Sequence, residues 1–222
     1  MVVQSGEMMR RADPSTDRMI LDDIVQVIAR KEDATFLRAT GSATVPAGLK
    51  DFCDDGTGRV ITQTSTVNLQ NIKFDLGKLI LALYAADAPM LNPYFIFTPR
   101  VHRFLMDYVD GNGNPAFPEM RDGLLRGYPF LTTTQIPNNL DASGGGNDNE
   151  TEIYFVDASE FIIADAPTFE LNVSTEAAYH DGTNVQAAFS QDAVVFRSIV
   201  EHDTALRHTE SAAYMEAVTW GA

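Results

Sequence analysis

The sequence predicts an α+β fold, with helices in its first half and strands in its second. Three observations carry this reading. Before residue 110, apolar residues recur at helical spacing in three segments. Beyond it, the apolar runs are of strand length and are separated by Gly-, Pro- and Asn-rich turns. With 222 residues, 45% of them hydrophobic and 9% aromatic, the chain suffices for one large domain or two small ones sharing a core, and disorder is not the default.

The first helix is expected over residues 17–38. Asp13-Pro14-Ser15-Thr16 is a start signal, because hydroxyl side chains cap free N–H groups and proline suits a first turn. Asp17, Asp22 and Asp23 then sit near the positive end of the helix dipole. Ile20, Leu21, Ile24, Val25, Val27 and Ile28 make one broad apolar face, interrupted at Lys31-Glu32-Asp33 before Phe36 and Leu37. At 1.5 Å per residue the helix is roughly 33 Å long. Residues 41–48, containing Gly41, Pro46 and Gly48, read as a linker.

A polar stretch over 51–71 precedes a second helix at 76–86, capped by Asp75, with Leu76, Leu79, Ile80 and Leu83 inward. Residues 94–97 are a short buried strand. Thr98-Pro99 supplies a cap and a first-turn proline for a third helix, with Val101, Phe104, Leu105 and Tyr108 inward. Strands are expected at 128–134, 153–156, 161–164 and 193–200. In 169–174, Phe169, Leu171 and Val173 alternate with Glu170, Asn172 and Ser174, which reads as a half-buried strand. Residues 140–149, with Gly144-Gly145-Gly146, read as a flexible polar loop outside the core.

Composition excludes several classes. No run of eighteen apolar residues is present, and the N-terminus has no basic region followed by an apolar one, so no spanning helix or signal peptide is expected and synthesis is assigned to the cytoplasm. Cys53 is the only cysteine, which leaves no disulfide framework and no Cys-based zinc cluster. The formal charge of −15 opposes sequence-reading DNA recognition and binding to anionic membranes.

A search for chemistry yields no catalytic, cofactor-binding or metal residues. Asp110-Gly111-Asn112-Gly113-Asn114 opens like a calcium loop. The sixth position, which needs glycine, is Pro115, and the twelfth, which needs a bidentate carboxylate, is Arg121. Glu201-His202-Asp203 with His208 lacks zinc spacing, and on an extended segment His202 and Asp203 point to opposite faces. His102, beside Arg100 and Arg103, reads as a solvated helix face, and His180 as a loop residue. Cys53 lies in an acidic stretch that raises a thiol pKa. Asp54 and Asp55 are a carboxylate pair, but in a chain with 31 acidic residues such a pair carries no information.

Four segments, read in order, carry a family resemblance. The first is Ser5-Gly6-Glu7-Met8-Met9-Arg10, Leu21-Asp22-Asp23-Ile24 and Arg30-Lys31-Glu32-Asp33-Ala34-Thr35-Phe36-Leu37, with Gly41-Ser42 and Pro46-Ala47-Gly48-Leu49 behind it. This is similar to the spine helix, and the turn that follows it, of the major capsid proteins of tailed bacteriophages, the Hong Kong 97-type fold. The second is Leu125-Arg126-Gly127-Tyr128-Pro129-Phe130 with Gln135-Ile136-Pro137. The third is Phe155-Val156-Asp157-Ala158-Ser159 leading to Ile162-Ile163-Ala164-Asp165. The fourth is Phe189-Ser190-Gln191-Asp192 through Val195-Phe196-Arg197.

The resemblance implies a peripheral domain over 1–46 and 168–205, made of the spine helix and a β-sheet, and an axial α/β lobe over 47–167 and 206–222. It implies a structural, non-enzymatic subunit of a tailed phage or prophage that assembles with itself, as pentamers and hexamers, into an icosahedral shell. The location is then the virion, and the partners are packaged DNA held non-specifically, with portal and scaffolding proteins. An acidic wall suits that task, since it does not bind the polymer tightly. Family members carry an N-terminal arm and a long hairpin before the spine helix. The chain begins where those would end, so monomers or small oligomers are expected of it alone. In some members a lysine of that hairpin forms a crosslink, a role that none of Lys31, Lys50, Lys73 and Lys78 can be given. The alternatives are an encapsulin-type shell on the same fold, an acidic α+β hydrolase using two carboxylates, and a monomeric ligand-binding module.

Overall fold

The computed structural model describes residues 1–11, 14–53, 58–146, 148–166 and 170–222. Asp13, Asp54, Asp55 and Phe169 lie outside the described residues. The first half of the chain runs β1 (Val2–Ser5), α1 (Gly6–Arg11), α2 (Pro14–Arg38), α3 (Leu49–Cys53), β2 (Val60–Thr62), α4 (Leu69–Ala85), β3 (Pro93–Phe97) and α5 (Pro99–Asp107). Strands and short 3-10 turns follow: β4 (Leu124–Leu125), β5 (Tyr128–Thr132), β6 (Thr151–Asp157), β7 (Phe161–Asp165), β8 (Glu170–Ser174) and β9 (Ala178–His180). The last strands are β10 (Val185–Ala187), β11 (Ala193–Ile199), β12 (His202–Leu206) and β13 (Ala212–Val218). The described α-helices all lie before residue 108, as expected, but β1 and β2, which the sequence did not mark, also fall in the first half. Among the described residues no helix is long and apolar enough to cross a membrane.

The chain divides into two compact units, Met1–Glu32 with Ala164–His202 and Asp33–Ile163 with Asp203–Ala222. The division falls within α2.

In the first unit, β1, β11 and β8 form an antiparallel sheet in which Val2 and Val173 both stand opposite Phe196. Ala193 and Val195 point to one side and pack with Ala188, Val3, Ala177 and Tyr179. The 25-residue helix α2 is about 37 Å long at 1.5 Å per residue. Ile20 and Ile24 are buried and Ile28 is half-buried, but Leu21, Val25 and Val27 are exposed. The broad apolar face expected for this helix is therefore a narrow stripe at i, i+4 and i+8. The half-buried strand expected at 169–174 is corrected too: Leu171 and Val173 are both exposed.

The second unit is built on a six-stranded mixed sheet in the order β2-β13-β6-β3-β5-β4. Strand alternation sends Phe95, Phe97, Ile153, Phe155 and Met215 to one face, where Ile72, Leu76, Leu79 and Leu83 of α4 and Val101 and Leu105 of α5 cover them. Tyr154, Val156, Ala212 and Tyr214 go to the other, against Leu37, Leu49 and Cys53. The strand β6 is buried at every residue because it is central and covered on both faces, so its sequence does not alternate.

Local chemistry accounts for several boundaries. α4 begins seven residues before the expected start, because Asn68 and not Asp75 caps it, the Asn68 side chain accepting from the Asn71 N–H at 2.8 Å. Asp75 is instead buried mid-helix, accepting from the N–H and hydroxyl of Thr64 at 2.8 and 2.7 Å and from Lys78 at 3.0 Å. Thr98 caps α5 as expected, ahead of Pro99. Residues 41–48 are a structured turn and not a loose linker. Ser42 and Val45 form a β-bridge, and the Gly48 N–H donates to the Ala39 carbonyl at 2.7 Å. A Cβ on Gly48 would lie 2.7 Å from the Thr35 carbonyl oxygen, so only glycine allows this approach to the end of α2.

Candidate functional site

The sequence singled out a handful of polar residues, and the structure separates them. His202 Nδ1 lies 3.8 Å from Glu32, while His208 Nδ1 is 2.6 Å from Glu160 in the other unit. The cluster at 201–208 therefore divides between two different glutamates. Among the described residues no group of three or more His, Cys, Asp or Glu side chains comes together as a metal site.

In the loop at 110–114, Asp110 turns its carboxylate inward to accept from the N–H groups of Asn112 and Asn114 at 2.8 and 2.9 Å. Those backbone donors hold its carboxyl below the usual range, so its oxygens are engaged in closing an Asn/Gly turn. His180 Nδ1 accepts from the Gly182 N–H in a similar turn. His102 is not a solvated helix residue: it is half-buried, with its ring 5.2 Å from Phe130 and 6.4 Å from Phe97. Aromatic neighbours one turn and one strand away draw it in, which its flanking arginines concealed. Cys53 is fully buried and is thereby shielded from any reaction partner.

One buried electrostatic cluster was not legible in the sequence. Glu152 in β6 is fully buried and accepts from Arg38 Nε at 2.7 Å, Lys50 Nζ at 2.8 Å and the Tyr154 hydroxyl at 2.8 Å. Burial pushes its pKa up, but Lys50, Tyr154 and Arg38 together outweigh burial and hold it below the usual range. Burial and the Glu152 charge push the Tyr154 phenol well up. The one available signal was an acid inside the apolar run of β6. On the same strand Asp157, also buried, accepts from the N–H groups of Leu91, Asn92 and Ser159 and from the Ser159 hydroxyl. Both carboxylates bind parts of the chain to one another: α2, α3 and β6 in the first case, the turn before β3 in the second.

Two concavities have mainly apolar linings, whereas a third, at Arg100, Arg103 and Asp107, is charged. A cavity of about 260 Å³ in the first unit is lined by Val2, Ile24, Ile28, Phe196 and His202. The second unit has a groove of about 510 Å³ lined mostly by aliphatic and aromatic residues. Its surface exposes Phe74, Leu81, Tyr84, Leu91 and Leu131, and the first unit exposes Val185 and Phe189.

The profile described as the Phage capsid family matches residues 1–217, and the chain belongs to that family. It is 32% identical over 213 residues to the major capsid protein of Klebsiella oxytoca phage phiKO2, covering 95% of this chain and 49% of that protein. The chain thus spans about half the length of that relative. Among solved structures it matches the capsid of an empty GTA particle with a TM-score of 0.68 at 15% identity, covering 97% of this chain and 71% of the other. It also matches the holo-SrpI encapsulin complex from Synechococcus elongatus PCC 7942 with a TM-score of 0.58 at 12% identity, covering 98% and 71%. The fold is the Hong Kong 97 type of the phage capsids.

Proposed function

We propose that the chain is a major capsid subunit of a tailed phage or prophage, which tiles with copies of itself as pentamers and hexamers into an icosahedral shell around the genome. The observation that carries this is the family match over residues 1–217, supported by the 32% identity to a phage major capsid protein. The first unit takes the part of the peripheral domain and the second that of the axial domain. The subunit does no chemistry; its buried carboxylates stiffen the tile and its exposed apolar side chains join tiles together. Packaged DNA meets an acidic wall and is held non-specifically, the charge of −15 disfavouring tight contact. Portal and scaffolding proteins are the further partners, and the virion is the place of action.

Expression of the full-length polypeptide, followed by light scattering and negative-stain electron microscopy, tests the proposal. Regular closed particles are the expected result. Monomers at every concentration, with a hydrolytic activity lost on substitution of one carboxylate or with a bound apolar ligand, overturn it. The likeness to the encapsulin complex supports a second reading on the same fold, and closed particles that contain one co-purifying protein and no nucleic acid would favour it.

A further inference from the structure

Helix α4 is apolar on the side where a surface helix is normally polar. Its inner face is fully buried through Ile72, Leu76, Leu79 and Leu83. The opposite face presents Phe74, Leu81 and Tyr84 at i, i+7 and i+10, respectively 60%, 62% and 55% exposed. Gly77 lies between them, and the space where its side chain would be is open. Although Gln70 and Lys73 share this side, three large apolar side chains in line on it are more than a solvated helix face needs. The ridge is also pre-organised. The Tyr84 and Tyr128 hydroxyls are hydrogen-bonded at 2.6 Å, and the Lys78 ammonium lies 4.5 Å from the centre of the Phe74 ring. Exposed Lys73 stands on the same side, so two of only four lysines in a strongly acidic chain flank this ridge.

The complement lies across the sheet. Ile96 of β3, Leu131 of β5 and Val156 of β6 leave the face opposite α4 and, with Phe161 and Ile163 of β7, line the groove of about 510 Å³. Leu131 and Ile163 are themselves exposed, and exposed Asp33 stands at the rim. Ridge and groove belong to one compact unit and lie beyond opposite faces of its sheet.

We propose that the α4 ridge of one copy seats in this groove of a second copy. The inference rests on the capsid-subunit reading and names an interface for it. Because ridge and groove are different surfaces on opposite sides of the sheet, the contact is head-to-tail: every copy offers one and receives the other, and repetition closes a ring when the rotation divides a full turn. The binding mode is an apolar helix face laid in an apolar groove. Charge favours this occupant: Lys78 is already paired with Asp75, but exposed Lys73 beside the ridge can meet exposed Asp33 at the rim of the groove between copies that otherwise repel.

Cysteine pairing and charge substitution in the full-length protein test it. Leu81→Cys and Ile163→Cys proteins, mixed and mildly oxidised, are expected to crosslink between chains about tenfold or more above either protein alone, and buried Cys53 does not compete. Leu81→Asp should weaken self-association by a similar factor, and a partner carrying Leu131→Lys should restore it. Both positions are exposed, and unchanged circular dichroism and melting verify that the fold is kept. Crosslinking of Leu81→Cys to itself, or particles that form unchanged with Leu81→Asp and with Leu131→Lys, overturns this interface while leaving the capsid reading intact. A small apolar ligand or another segment of the same polypeptide found in the groove overturns it as well. A full-length protein that forms no assembly at all removes the capsid reading, and this inference with it.

Discussion

Glu152 illustrates how one residue couples distant parts of the second unit. Its carboxylate is buried and is held ionised by Arg38 and Lys50, each of which keeps part of its side chain in water. Removing the charge leaves two cations without their counter-ion, so Glu152→Gln is expected to cost about 2–3 kcal/mol, below the range for a fully buried pair because the cations are partly solvated. The pH dependence follows from the direction of the shift. A carboxyl held below its unfolded value contributes stability that is present above the unfolded pKa, near 4.3 for glutamate, and is lost as pH falls through the folded one. Urea titrations of both proteins should therefore show a gap at pH 7 that narrows toward pH 3; a constant gap would mean that the carboxylate charge is not what matters. The acid was visible in the sequence, inside an apolar run. Its partners, 114 and 102 residues away, were not.

At the scale of elements, α2 and the loop at 140–149 make the sharpest comparisons. Ile24 is 4% exposed and Val25 59%. Ile24→Asp should cost several kcal/mol by burying an unpaired charge, whereas Val25→Asp should change stability by no more than about 0.5 kcal/mol. Equal melting temperatures for the two variants would contradict the narrow stripe. The loop is closed by a bridge between Leu140 and Glu150, and the buried Glu150 side chain accepts from the N–H groups of Ala142 and Ser143 and from the Ser143 hydroxyl. Gly144 and Gly146 at the tip have open space around them. Deleting Gly144–Gly146 should leave denaturant midpoints nearly unchanged, while Glu150→Ala should lower stability by about 1–3 kcal/mol. A deletion as harmful as the point substitution would show that the tip, and not its clasp, is structural.

For the whole molecule, charge and apolar surface act in opposite directions. A net charge of −15 makes copies repel, while the exposed apolar side chains draw them together. Salt shortens the range of the repulsion from about 30 Å at 0.01 M to about 8 Å at physiological strength and leaves apolar attraction in place. Self-association of the full-length protein, followed by light scattering, should therefore increase with salt. A decrease would mean that ion pairs dominate the contacts. Among the described residues no cluster of ligands is set to hold a metal, so melting curves with and without a chelator should coincide; a lowered melting temperature in chelator would reveal a structural ion.

The sequence by itself determined what depends on neighbours within a turn or a strand. Helical spacing marked α2, Thr98-Pro99 marked the start of α5, and turn residues marked the strand-rich half. The ordered motifs from Ser5-Gly6 to Val195-Phe196 carried the family resemblance. Tertiary structure alone decided which side of each element is covered. Val25 and Val173 are as apolar as Ile24 and Val195, but more than half of each is left exposed. It also decided the role of Asp75, which from sequence resembles a cap and in the fold accepts from Thr64 across a turn of chain. The reason is physical: propensity and periodicity act over three or four residues, whereas burial and ion pairing join residues brought together only when the sheet forms.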